Sequence, residues 1–150
     1  MNTAQQTIKK TIDIQAPKEK VWAVLFNDEY TRIWYAEFSE GTYAQTDWQQ
    51  GSKAVFRDKS GFGMVGTIVT NKQYEKLSIE FQGVFTDGKE DYESADAQQV
   101  KGARETYILA ERDGATQVSI ESDMAEEHFE SMSASWERAL QKVKELSEKA

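Results

Sequence analysis

The strongest constraint on this chain lies at its end. From about Glu126 to Glu148 apolar side chains recur at Phe129, Met132, Trp136, Leu140, Val143 and Leu146, steps of three and four that put them on one stripe of a long helix. Glu126, Glu127 and Glu130 stand early and Lys142, Lys144 and Lys149 late, as the helix dipole favours, and Glu145 with Lys149 has i,i+4 spacing. A helix with one apolar stripe must bury it against another layer. The rest of the sequence therefore has to supply that layer.

It supplies strands. Ile8, Ile12 and Ile14 share one parity in a Thr-rich stretch, the alternation of a half-buried strand. Pro17 then opens a helix to Phe26 with Val21, Val24 and Leu25 inward, and a short helix follows over Asp28–Tyr35. Between Trp48 and Phe85 the period becomes two, through Ala54 and Phe56, then Met64 and Ile68, then Leu77, Ile79 and Phe81. Turns at Asp58–Gly61 and Asn71–Lys76 make these three antiparallel strands. Asp87 to Gly102 is polar and reads as a long loop with room for a short helix. Thr106–Ala110 and Gln117–Ile120 form a last hairpin about Asp113-Gly114. The expected fold class is α+β: a curved antiparallel sheet wrapped around the long C-terminal helix, with two short helices. A chain of 150 residues suits one domain spanning 1–150.

Composition excludes several functions. There is no Cys and one His, so thiolate zinc sites, iron–sulfur clusters, cysteine nucleophiles and multi-histidine cages are out, and no cofactor or metal is expected. Eighteen Lys+Arg against 26 Asp+Glu give a formal charge of −8, and the lysines are scattered among acids, which speaks against nucleic acid or membrane surfaces as partners. The longest apolar run, Val21–Phe26, has six residues, where a membrane span needs about 20. Met1–Lys10 lacks the apolar stretch of a signal peptide, and a cytoplasmic location is the default expectation.

Motif by motif, little chemistry stands out. Gly61-Phe62-Gly63-Met64-Val65-Gly66 spells G-x-G-x-x-G, but the β-branched run Thr67–Thr70 continues a strand where a dinucleotide site needs a helix start. It reads as a turn followed by strand glycines. His128 stands beside Glu127 and Phe129 with no nucleophile singled out as its partner, and reads as a surface residue. Asp87, Glu90, Asp91, Glu93 and Asp96 lack the ordered ligand pattern of a calcium loop.

The aromatic load says more. It exceeds what a tightly filled core needs, and Met64 and Met132 add adaptable side chains. Where a curved sheet stands off a helix, such residues wall an apolar cavity. Trp34, Phe38, Phe56, Met64, Phe81, Tyr107, Met132 and Trp136 are the candidate ligand-binding residues, with Asp87–Gly102 as mouth or lid. No catalytic residue is assigned.

Ile12-Asp13-Ile14-Gln15-Ala16-Pro17-Lys18-Glu19-Lys20-Val21-Trp22, then Trp48-Gln49-Gln50-Gly51-Ser52, then Ser135-Trp136-Glu137-Arg138-Ala139-Leu140 with Val143 and Leu146 follow in an order that resembles the START-like (SRPBCC) superfamily. Within it, the chain is most similar to the bacterial branch homologous to the C-terminal domain of the activator of heat shock protein ninety ATPase. The resemblance runs from about residue 7 to residue 148. It implies a helix-grip fold with seven strands, one more than the residues themselves indicate, the extra one falling near Glu40–Thr46. It also implies a cavity between sheet and long helix that in many members holds an apolar ligand.

Three functions follow as expectations. The leading one is a non-enzymatic binding module for a small hydrophobic or amphipathic molecule. The second is a cochaperone-like module whose acidic surface docks on a protein partner, an interaction that added salt would weaken. The third is a cavity enzyme, a cyclase or hydrolase using a buried carboxylate or Tyr107, which requires a strongly perturbed ionisable group inside the cavity.

Overall fold

A computed structural model describes residues 5–149, so the first four residues of the Met1–Lys10 stretch lie outside it. From Gln5 that stretch is already strand. β1 spans Gln5–Ile14 with Ile8 and Ile14 buried, and it pairs antiparallel along its whole length with the strand Ala115–Ala125. The chain then turns through Pro17 into α1 (Lys18–Phe26), which buries Val21, Val24 and Leu25, and α2 (Asp28–Trp34), which ends in a single 3-10 turn over Tyr35–Glu37.

The remaining strands are β2 (Tyr43–Gln45), β3 (Lys53–Arg57), β4 (Gly63–Lys72), β5 (Lys76–Thr86), β6 (Lys89–Asp91), β7 (Arg104–Arg112) and β8 (Ala115–Ala125). They form one antiparallel sheet in the order β1-β8-β7-β5-β4-β3-β2, with β6 beside the far end of β5. β2 lies where the family resemblance put an extra strand. The helix α4 (Phe129–Glu148) follows a 3-10 turn at Glu126–His128, and it packs on β1, α1 and α2. Trp136, Ala139, Leu140, Val143 and Leu146 are all buried, each large apolar side chain contributing about 1.5–3 kcal/mol. The helix-grip architecture is thus an eight-stranded sheet closed over a helix.

Three sequence expectations change. α4 begins three residues late, because His128 offers its amides no side-chain cap. Glu145 pairs with Lys142 at 3.5 Å, and Lys144 with Glu148 at 2.5 Å, in place of a Glu145–Lys149 pair. The segment Asp87 to Gly102, read as a loop with room for a short helix, does carry one, α3 (Ala95–Val100), started by Ser94, whose hydroxyl accepts a bond from the Ala97 amide, and it also carries a strand, β6, that was not foreseen. β6 was invisible because a three-residue strand with sequence Lys-Glu-Asp has no apolar alternation to reveal it.

The sheet curves at two irregularities. Val65 pairs with Gly83 and Gly66 with Phe81, leaving Gln82 as an extra residue in β5, and Val69 is likewise extra in β4 between Ile68 and Thr70. Such bulges bend a strand and strengthen its twist. At the first of them β5 exchanges neighbours, from β7 at Lys76–Glu80 to β6 at Val84–Thr86. Between these stretches the Gly102 amide bonds the Phe81 carbonyl and the Phe81 amide bonds the Ala103 carbonyl, both at 2.9 Å. The glycine-rich segment fits this frame: a Cβ on Gly63 would fall 1.8 Å from the Phe56 carbonyl oxygen, so only glycine lets β3 and β4 approach there.

Candidate functional site

Strand pairing decides which side chains face the helix. One cross-strand row runs Ile68, Ile79, Glu105, Ser122 and Ile8, and the next contains Leu77, Tyr107 and Ile120. Six of these eight are buried apolar residues, and Ser122 is a small buried polar one. Glu105 therefore stands at a position of the inward face where the alternation calls for an apolar side chain.

Above it the sheet and helices leave space. An inner cavity of about 140 Å³ is walled by Trp34 at the end of α2, Tyr35 and Phe38 around the 3-10 turn, Thr42, Phe56 on β3, Met64 on β4, Phe81 on β5, Glu105 and Tyr107 on β7, and Met132 and Trp136 on α4. All eight residues singled out from sequence are in this wall. An outer cavity of about 430 Å³ lies next to it, bounded by Phe62, Val84, Met124 and His128 among others, and by Asp96, Gln99 and Val100 of α3. Met64, Phe81, Glu105 and Met132 line both spaces and so stand between them. The segment expected as a mouth or lid contributes the α3 wall of the outer cavity.

The inner wall is rigid on its aromatic side. Trp136 packs against Phe38 at 4.9 Å between centroids, Tyr107 at 6.0 Å and Trp34 at 6.2 Å, and Tyr107 meets Phe26 edge-on at 5.2 Å. Trp34 is pinned through its indole N–H, which donates to the Val24 carbonyl at 2.9 Å. The Trp136 indole N–H is buried without a partner. Methionines close the other side, and their unbranched thioethers adapt to irregular contents.

The polar centre is Glu105 with Tyr107. The Tyr107 hydroxyl donates to Oε2 of Glu105 at 2.5 Å. Glu105 is half-buried and lines both cavities. Burial pushes it up from an ordinary 4.5 to about 7, and the hydrogen bond from Tyr107 opposes that only in part. Burial also raises the Tyr107 and Tyr35 hydroxyls well above the ordinary tyrosine value, with the neighbouring Glu105 charge adding to the shift in both. Near neutrality the carboxyl can accept a proton or give one up, while both phenols stay protonated.

Sequence reasoning missed Glu105, and the signal was present. It shares parity with Tyr107 and Leu109 but lies one residue before the strand as read, where a charged residue passes for a solvated one. Tyr35 and Thr42 were missed for want of periodicity in their short segments. His128, expected at the surface, has its side chain 57% exposed, yet it also borders the outer cavity. Among the described residues no group of three or more His, Asp or Glu side chains is placed to hold a metal ion, and no helix is long and apolar enough to cross a membrane.

Solved structures share this architecture at low sequence identity. MLL2253 from Mesorhizobium loti superposes with a TM-score of 0.74 at 14% identity, covering 94% of this chain and 96% of that one. The Aha1 dimer from Colwellia psychrerythraea gives 0.70 at 15% identity, covering 95% and 96%. DynU16, a protein of the dynemicin biosynthetic locus, gives 0.68 at 11% identity, and the match covers 93% of this chain and 46% of DynU16. At such identities the likeness is one of fold. No functionally curated protein matches the sequence. The family model for Activator of Hsp90 ATPase homolog 1-like protein matches residues 15–148, nearly the whole length, and the chain belongs to that family.

Proposed function

We propose that this protein binds a small hydrophobic or amphipathic molecule in the paired cavities between sheet and α4. The observation that carries the reading is the pairing itself: an aromatic-walled chamber adjoins a larger one, and a single ionisable carboxyl stands at their boundary. Small-molecule sites have this composition, mostly apolar with a few placed polar groups. A filled core would instead have driven Glu105 outward or replaced it, since burying an ionisable group for no interaction costs several kcal/mol, on the order of the shift it shows. The occurrence of a protein of this fold in a biosynthetic locus agrees with a role in handling small molecules.

Native mass spectrometry of protein purified from its host, followed by organic extraction, tests the reading. An apolar adduct at one per chain is expected. A bare protein that also takes up none of a panel of lipids and hydrophobic dyes would overturn it and leave docking on a protein partner as the better account.

One observation favours a second reading. A cavity enzyme needs a perturbed ionisable group, and Glu105 at about 7 meets that condition for a general base. Turnover of an extracted ligand by wild-type protein, abolished in Glu105→Gln, would establish it. Recovery of the ligand unchanged after prolonged incubation would exclude it for that ligand.

A further inference from the structure

The charge inventory of the two cavities is one-sided. Among the described residues no lysine, arginine or histidine lines the inner chamber, and the Asp, Glu and His residues lining the outer one are Glu105, Asp96, Asp123 and His128. Asp123 is already engaged by the Thr7 hydroxyl at 2.6 Å and the Arg104 amide at 3.1 Å. Glu105 has one hydrogen bond, from Tyr107, and its second oxygen is left to the cavities. Trp34, Phe38, Phe56 and Trp136 line the same chamber.

We propose that the cavity selects amphiphiles bearing a protonated amine, with the ammonium group at Glu105 and the apolar body in the adjoining chambers. This rests on the reading of the cavities as a ligand site and deepens it. The argument is electrostatic. A buried ion pair gains little when both partners must be stripped of water. Here the fold has already desolvated the carboxylate and Tyr107 already holds it in place, so only the incoming cation loses its hydration. Aromatic faces recover part of that loss through their quadrupoles. A carboxylate ligand at Glu105 would set two like charges side by side with no lysine or arginine among the described lining residues to offset them, an arrangement that disfavours ionisation. A neutral alcohol meets neither benefit nor penalty, and Glu105 stays about half protonated beside it at pH 7. The net charge of −8 reinforces the ranking at longer range.

Three matched probes test this: naphthylmethylamine, naphthylmethanol and naphthoate, titrated into the full chain at pH 7 by calorimetry and followed by naphthalene fluorescence. The amine is expected to bind at least tenfold more tightly than the alcohol, and naphthoate more weakly than the alcohol. In Glu105→Gln the amine should fall to within about threefold of the alcohol measured on the same variant. An amine no tighter than the alcohol in wild type, or a preference that survives in Glu105→Gln, overturns the proposal while leaving the ligand site standing. Failure of all three to bind overturns both.

A second measurement does not depend on that variant folding. At pH 7 a group titrating at about 7 is half protonated, so capture of a cation should release up to about half a proton per site. Repeating the amine titration in two buffers of different ionisation enthalpy reads that number. The titratable groups that line the cavities with Glu105 are Tyr107, Tyr35, Asp96, Asp123 and His128, and the imidazole among them calls for a control variant. Release that persists in His128→Gln supports Glu105 as its source. Release that is absent in wild type, or lost with His128, refutes it.

Discussion

Glu105→Gln should stabilise this protein, and by an amount that grows with pH. The carboxyl titrates at about 7 in the fold against 4.5 in an unfolded chain. A raised carboxyl means that the folded state holds its proton more tightly, so between these values folding takes up a proton and stability falls as pH rises. The loss is small below 4.5 and complete above 7. From the two values, ionising Glu105 costs the fold about 1 kcal/mol at pH 5.5 and about 3 kcal/mol at pH 8. Gln has the same shape, accepts the Tyr107 hydrogen bond and carries no charge to desolvate. The variant's advantage should therefore widen by about 2 kcal/mol from pH 5.5 to pH 8. Urea melts of both proteins, followed by tryptophan fluorescence and kept above the isoelectric point near 4.8, measure it. Taking the difference between the two proteins cancels groups that shift the other way, such as Asp58, whose carboxyl the Ser60 hydroxyl holds low. A gap that stays constant across the range to within about 0.5 kcal/mol would refute the burial of Glu105 as described.

Two further substitutions probe the frame around the site. Trp136→Ala removes a fully buried ring packed against Phe38, Trp34 and Tyr107, and should cost about 3–5 kcal/mol in denaturant melts. A cost below about 1 kcal/mol would place the ring outside the core. Gly63→Ala must push β4 away from the Phe56 carbonyl and disturb the stack of the Arg57 guanidinium on Phe85, 4.3 Å from its centroid. A loss of about 2–3 kcal/mol is expected, and an unchanged melting midpoint would show that the two strands are not so closely apposed.

How much of this was legible beforehand follows from how each element announces itself. α4 was readable because a stripe at steps of three and four has one solution, and its inward residues Met132 and Trp136 followed directly. Phe56, Met64, Phe81 and Tyr107 sit on strands whose alternation fixes their direction, so their convergence on one wall was a matter of parity. Trp34 and Phe38 came from their place at the end of a short helix. What escaped was whatever breaks a period. Gln82 and Val69 shift the register without leaving a mark in composition, β6 has no apolar residue, and Glu105 obeys the parity of its strand while violating its polarity. An ionisable residue in phase with buried neighbours is the pattern to search for, since tertiary context decides whether it is solvated or enclosed.

The excursion between β5 and β7 has a consequence for how such a protein can change over evolutionary time. β5 itself continues past Phe81 to Thr86 beside β4 and β6, and the chain comes back through α3 to Ala103, where paired backbone bonds tie it to Phe81. The stretch after Thr86, from Asp87 to Lys101, lies outside the strands that carry Glu105 and Tyr107, so it is the part that can be lengthened, shortened or rewritten without moving them. Yet Asp96, Gln99 and Val100, which belong to this replaceable stretch, shape the outer chamber. The polar anchor and the body-shaping wall thus sit on separately editable parts of the chain, and descendants of one scaffold can exchange ligand shapes while keeping a common head-group chemistry.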